Sequence, residues 1–266
     1  VHAIEHVGRH YQVEGALTAP RSAQGRPVYV QAGSSNEGRA FAARNAEAIF
    51  TAHQTIEDAQ AFYADIKSRA ARLGRNPDHV KVLPGISPFL GDTEAEAREL
   101  QEYVNSLTVP AYGRAQLATL AGVSLDDLDL DEKVPASLFG GAGDVLDNNR
   151  SRLQVVANIV QRDQPTLRQL LHRLAGARGH NVVAGTPTQV ADIITAWFQG
   201  GAADGFNVMP PLYPQLLDAF TDQVVPILQD RGLFRTEYVG GTLREHYGLP
   251  RPASIYAEGT ATGATA

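Results

Sequence analysis

The sequence contains no cysteine, which excludes disulfides, thiolate metal sites and a cysteine nucleophile within it. It has a single methionine, Met209, and a single tryptophan, Trp197, and aromatic residues make up only 7% of it. No apolar run reaches the length of a membrane span, and no signal-peptide pattern opens the sequence. Basic residues are outnumbered, 23 Lys and Arg against 29 Asp and Glu, and they are scattered, so neither a broad nucleic-acid surface nor an anionic-membrane surface is expected. What remains is a 266-residue chain with 43% hydrophobic content, enough for a sizeable core. A reducing cytoplasm is the expected compartment.

The most informative stretch runs from Pro27 to Arg39. A short β-prone run, Pro27 to Ala32, breaks at Gly33 into Ser34 and Ser35, and an alanine-rich segment then continues to Ala46. This reads as strand, tight loop and helix. A glycine and two serines opening a helix bring backbone amides, hydroxyls and the positive end of the helix dipole into one small volume, which suits a phosphate. The competing reading of the same residues is that Ser34 or Ser35 is only the helix N-cap.

Before this stretch, residues 1–26 alternate polar and apolar positions between Gly8, Gly15 and Pro20, predicting a hairpin or an extended loop. After it, strands are predicted at 48–51, 80–86 and 205–209, with Pro84-Gly85 suggesting a bulge or a strand end. Thr55, Asp92 and Thr186 open helices, the last through Pro187 and a Gln189 capping box. From about 108 to 179 helical segments follow one another, linked by the acidic turn Asp126 to Glu132 and the cluster Gly140-Gly141-Ala142-Gly143, with no convincing strand. A helix over about 215–230 is expected to kink at Pro226. Strands alternating with helices predict an α/β fold with a parallel sheet of about four strands.

Read in order, several blocks resemble one family. They are Ser22-Ala23-Gln24-Gly25-Arg26-Pro27, Gln31 to Arg39, Thr166-Leu167-Arg168-Gln169, and Arg178-Gly179-His180 with Gly185-Thr186-Pro187. Further blocks are Gly201 to Asn207, Val225-Pro226 to Arg235, Tyr238, and Thr242-Leu243-Arg244-Glu245. Together they resemble the nitrilotriacetate monooxygenase component A family of the bacterial-luciferase-like flavin barrels. The resemblance implies a (β/α)8 TIM barrel of which residues 1–252 are the C-terminal part; the helical run at about 108–179 reads as an insertion between strand units, and the small, polar composition from Ala253 predicts a disordered tail over 253–266. The resemblance also implies an FMN-dependent two-component monooxygenase, in which a separate flavin reductase supplies reduced FMN that works with O2 on a small organic substrate. A xenobiotic, a sulfur compound or an aminopolycarboxylate is the substrate class implied, and a homo-oligomer the implied assembly. Ser35 holds the family's phosphate-contacting position, so Gly33, Ser34 and Ser35 are the implied cofactor contacts. The rival expectation is a non-catalytic α/β interaction module or an inactive fragment.

His180 is the one candidate catalytic residue, placed just ahead of the Thr186 helix start, where it could donate a hydrogen bond or shuttle a proton. A loop histidine bonded to backbone is the alternative. Asn207 and Met209, at a strand end, are candidates by position alone. His2, His6 and His10 recur every four residues, but Gly8 and the alternation around it argue against one helix face, so no metal site is expected. Arg168, Arg231, Arg235 and Arg244 read as structural.

Overall fold

A computed structural model describes residues 2–16, 18–139, 147–177, 179–254 and 256. The glycine cluster at 140–143, Arg178 and most of the 253–266 tail lie outside the described residues. The chain divides into two compact units, residues 1–28 with 238–266 and residues 29–237.

In the first unit, β1 (Ile4–Val7) and β2 (Gln12–Gly15) pair as the antiparallel hairpin that the alternation allowed. In the second unit, β3 (Val30–Ala32) leads through the serine loop into α1 (Asn36–Asn45). It is shorter than the strand expected over 27–32. β4 (Ala48–Thr51) follows, then α2 (Ile56–Arg72), whose Thr55 N-cap accepts from Asp58 N at 3.2 Å. Ala59, Phe62, Ile66 and Ala70 recur on one face of α2 at the helical period and are fully or almost fully buried. Phe62, Ile66 and Ala70 form one core cluster with Ala42 and Ala46 from the α1 side, Ile49 of β4, and Val80 and Val82, while Ala59 packs with Trp197 and Ala202. Each large side chain so buried contributes about 1.5–3 kcal/mol relative to exposure.

β5 (Lys81–Leu90) is longer than expected. Pro84-Gly85 neither ends nor bulges it: Lys81 to Pro84 pair with β4, and pairing resumes at Gly85 and Ile86 and continues to Leu90. Next come α3 (Glu94–Ser106), α4 (Pro110–Ala121), α5 (Asp147–Asp163) and α6 (Leu167–Ala177). The N-cap of α3 is Thr93, one residue later than expected, because Thr93 and Glu96 close a reciprocal capping box there. The helical excursion owns a core around Leu117, Phe139, Ile159 and Leu170, which explains how it folds without a strand of its own.

β6 (Asn181–Gly185) is not among the expected strands; it pairs with Ile86 to Leu90, of which all but Ile86 lie beyond the strand expected over 80–86. α7 (Pro187–Gln199) starts on the Thr186/Gln189 capping box, and β7 (Asn207–Val208) pairs with Gly85 and Ile86. The helix expected over 215–230 keeps helical backbone throughout, and its irregularity lies just upstream of Pro226. α8 (Gln215–Ala219) passes through a π turn at Phe220–Val224 into α9 (Val225–Asp230), and the π turn takes up the distortion that a proline inside a helix imposes. The sheet is parallel, in the order β3-β4-β5-β6 with β7 also on β5. Among the described residues no strand pairs with the outer edge of β3.

In the first unit, α10 (Leu243–His246) follows a Thr242/Glu245 capping box, and the two ends of the chain are tied together there. Arg21 donates to Pro252 O at 2.6 Å and Arg251 to Ala23 O at 3.0 Å, while His2 stacks on Tyr256 at 3.8 Å.

Candidate functional site

Parallel strands put all their carboxyl ends on one edge, and ligands of α/β sheets bind outside that edge. Ala32 pairs with Phe50, so the loop Gly33-Ser34-Ser35 leaves the sheet level with Thr51, one strand away. Gly33 has φ +154°, a conformation that L side chains rarely adopt. Ser34 and Ser35 are half-buried at this edge rather than packed into the interior.

Ser35 is the N-cap of α1, its Oγ accepting from Gly38 N at 3.0 Å, so the capping role weighed for Ser34 or Ser35 belongs to Ser35. Capping uses a lone pair and leaves the hydroxyl proton as a donor. The amides of Asn36 and Glu37, in the first turn, have no acceptor inside the helix. An anion outside the loop would therefore meet the Ser34 and Ser35 hydroxyls, first-turn amides and the helix dipole.

Beside the carboxyl end of β4 lies His180, the residue just before β6. Its Nδ1 is 3.1 Å from the Thr51 carbonyl oxygen, which can only accept, so Nδ1 carries a proton. The ring stacks on Phe50 with centroids 4.7 Å apart and planes 10° apart. By register, Phe50, Leu83, Gly85, Asn207 and Met209 share the face opposite Ile49 and Val82, which pack toward α1 and α2. A Cβ at Gly85 would lie 2.5 Å from His180 Nδ1 and 2.9 Å from Met209 Sδ, so the absence of a side chain there is what admits the imidazole. Asn207 Nδ2 donates to Leu83 O at 3.0 Å, which commits that amide group to the sheet. His180 thus bonds to backbone, as in the alternative weighed for it.

Behind the loop, on the helix side of β3 and β4, are unpartnered polar atoms. Among the described residues, Gln31 Oε1, Thr51 Oγ1, His53 Nε2 and Ser87 Oγ are buried without a hydrogen-bond partner; Gln31 lies within β3, Thr51 ends β4 and His53 follows two residues later. Buried polar atoms left unpaired are costly and mark places where a polar ligand or an ordered water belongs. The groups that fit a phosphorylated ligand are the donors of the loop itself, the Ser34 and Ser35 hydroxyls and the first-turn amides of α1; Gln31 Oε1 can only accept and calls for a donor such as an ordered water.

The ring of His53 is tilted against Phe62 at 5.0 Å. Burial pushes its pKa down to about 4; Asp58 opposes this, and Arg39 and His180 add to it. The folded-state value lies below the usual 6.5, so the unfolded chain binds the extra proton first. Stability is complete above about pH 6.5 and falls, by up to about 1.4 kcal/mol per pH unit, on the way down to about pH 4. His53→Gln is expected to flatten this part of a urea-denaturation profile taken from pH 7 to pH 4. An unchanged slope would assign the acid sensitivity elsewhere.

Sequence reasoning missed Phe50, Thr51, His53 and Gly85. The Pro84-Gly85 pair was a signal for the last but was read as a break in the strand. The arginines read as structural are so in part by direct contact: Arg168 pairs with Asp131 at 2.8 Å and Arg231 with Asp192 at 2.6 Å, and Arg244 donates to Pro250 O at 3.0 Å. A groove of about 510 Å³ beside α4, lined by Pro110, Arg114, Leu125 and Asp126, lies in the helical excursion. Arg114 there donates to the carbonyls of Leu125, Asp126 and Leu128, so its charge serves the loop.

The family described as luciferase-like monooxygenase matches residues 2–204. Nitrilotriacetate monooxygenase component A of Aminobacter aminovorans is 45% identical over 259 residues, 97% of this chain and 56% of that protein. The crystal structure of DmoA from Hyphomicrobium sulfonivorans superposes with a TM-score of 0.78 at 30% identity, covering 93% of this chain and 51% of that one. A riboflavin lyase, RcaE, solved with modified FMN and riboflavin, superposes with a TM-score of 0.76 at 29% identity over 93% of this chain and 53% of its own. The chain spans about half the length of the curated relatives it matches. Among the described residues no helix is long and apolar enough to cross a membrane.

Proposed function

The chain belongs to the luciferase-like monooxygenase family, and on that premise we propose that it works as an FMN-dependent monooxygenase of the two-component kind. The sheet of residues 29–237 is, on this reading, part of a (β/α)8 barrel with the helices of about 108–179 as an insertion. The barrel's other strands correspond to the half of the relatives that this chain does not span. The setting is the cytoplasm, the assembly a homo-oligomer, and a separate flavin reductase supplies the cofactor reduced. The observation that carries the reading is the placement of the Gly33-Ser34-Ser35 loop at the carboxyl edge, opening α1 one strand away from the His180 contact.

Reduced FMN, when bound, supplies the electrons that activate O2 so that one oxygen atom enters the organic substrate and the other leaves as water. The chain's residues hold and orient. Ser34 and Ser35 and the amides opening α1 would take the phosphate. His180, with its proton kept on Nδ1 by the Thr51 carbonyl, would present Nε2 as an acceptor or base toward the reacting groups. Phe50 and Gly85 fix the plane of that ring. The names of relatives include nitrilotriacetate and dibenzothiophene-sulfone monooxygenases, which supports a small aminopolycarboxylate or sulfur compound as the substrate class.

The test is a titration with FMN and with riboflavin, which differ by the phosphate. FMN is expected to bind at least tenfold more tightly; equal binding would remove the phosphate site and favour the non-catalytic interaction module. Ser35→Ala and Ser35→Gly refine it, since glycine largely keeps the cap while alanine loses about 1 kcal/mol of it. Both variants are expected to weaken FMN by about 1–2 kcal/mol, the scale of a charge-assisted hydrogen bond, with riboflavin unchanged. Loss in alanine alone would mean that Ser35 only caps.

A further inference from the structure

The arginine that closes the loop segment, Arg39, lies one turn into α1, where its charge could be taken as a ligand for an incoming anion. The contacts of its guanidinium point elsewhere. Nε donates to the Ser34 carbonyl at 2.9 Å, Nη1 to Asp65 of α2 at 3.2 Å, and the group lies over the Phe62 ring at 5.0 Å from its centroid. Asp65 is shared, since Arg69 donates to its other oxygen at 2.8 Å, and Arg69 Nη2 reaches Asn36, the first residue of α1, at 2.9 Å. Two arginines and one aspartate thus tie the start of α1 to the face of α2.

A planar trans peptide points its C=O and the following N–H in opposite directions. With the Ser34 carbonyl turned toward Arg39, the Ser35 N–H of the same peptide is turned away from it. We infer that Arg39 is a positioning residue for the anion loop: anchored by Asp65, it holds the Ser34 carbonyl so that the Ser35 amide, and the first-turn amides after it, face the ligand as donors. The inference rests on the phosphate reading of the loop but assigns Arg39 a role distinct from phosphate ligation. An arginine whose charge is partly balanced by a carboxylate is poorly suited to be the anion's counter-charge, and well suited to fix two groups with its rigid fork.

Asp65 separates the two roles. If Arg39 were a ligand held back by Asp65, Asp65→Asn would release it and strengthen FMN binding. As a positioning pair, Arg39→Ala and Asp65→Asn should each lower the preference for FMN over riboflavin about tenfold. The double variant should be no worse than Arg39→Ala within about twofold, and Arg39→Lys should restore only part of the loss. A second readout needs no flavin. Amide hydrogen exchange over residues 34–38 should speed up about tenfold in Arg39→Ala while the middle of α2 keeps its protection. Tighter FMN binding in Asp65→Asn, an unchanged preference in Arg39→Ala, or unchanged exchange in the loop would overturn the inference. If the unsubstituted protein shows no preference for FMN, the phosphate reading fails instead, and the exchange measurement still decides whether Arg39 holds the loop.

Discussion

Replacing Asp204 with alanine is expected to destabilise the fold by about 3–5 kcal/mol, the cost of leaving a buried partner charge uncompensated. Asp204 lies just ahead of β7, at the amino ends of the strands. Its carboxylate takes Lys67 Nζ at 2.9 Å, the Tyr63 hydroxyl at 3.1 Å and the Val82 amide at 2.8 Å, and its own amide donates to Val82 O at 2.9 Å. Lys67 and Asp204 side chains are only 13% and 16% exposed, so water could not replace the lost partner well. Burial, followed by the Asp204 charge and hydrogen bond, pushes the Tyr63 pKa up to about 12. At about 2–4 °C per kcal/mol for a chain of this size, the midpoint of thermal unfolding should fall by about 10 °C. Asp204→Asn, which keeps the acceptor for Val82 and Tyr63, should lose less. Because the contact joins α2 to the strands at the edge away from the serine loop, the folded fraction of either variant should keep its flavin preference. A variant with the wild-type midpoint would show that the Lys67 amine finds other compensation, since it also donates to Pro77 O and Val80 O.

The difference between the Asp204 region and the serine loop shows what could be read from residues alone. Gly33-Ser34-Ser35 is contiguous, and each residue carries a local preference of its own, so strand, loop and capped helix followed from propensity and hydrogen-bond chemistry. The Thr186-Pro187-Gln189 start of α7 was legible for the same reason. By contrast, Asp204 meets Lys67 and His180 meets the Thr51 carbonyl across 137 and 129 residues of chain, and no local signal announces such pairs. The strand at Asn181–Gly185 was hidden because its partner half of β5 contains Ser87-Pro88 after Pro84-Gly85, residues that argue against a central strand until the pairing is known. Arg39 was read within its motif, whereas its role depends on Asp65 one helix away.

Substituting alanine for Gly85 is expected to have the largest effect on catalysis of any single change at this edge, while leaving the protein folded. Gly85 sits within β5 rather than at a left-handed turn, so its backbone can accept an L side chain; the obstacle is space. The new Cβ would stand 2.5 Å from His180 Nδ1, 2.8 Å from its Cγ and 2.9 Å from Met209 Sδ. The methionine is flexible and can give way, but the imidazole is held between the Phe50 ring and the Thr51 carbonyl, so it must leave one of them. Overpacking of this kind costs about 1–3 kcal/mol of stability. Displacing a group that acts on the substrate by about 1 Å costs on the order of a hundredfold in turnover. FMN affinity should change little, since the serine loop lies on another strand, so the predicted signature in the protein supplied with reductase and substrate is a fall in kcat with an almost unchanged flavin Kd. His180→Gln provides the comparison: if His180 acts on the reacting groups, Gly85→Ala and His180→Gln should lose similar factors, and the double variant should lose little more than either. Independent, multiplying losses would mean that Gly85 matters for packing alone, and full activity in His180→Gln would leave the imidazole a structural bridge between β4 and the start of β6.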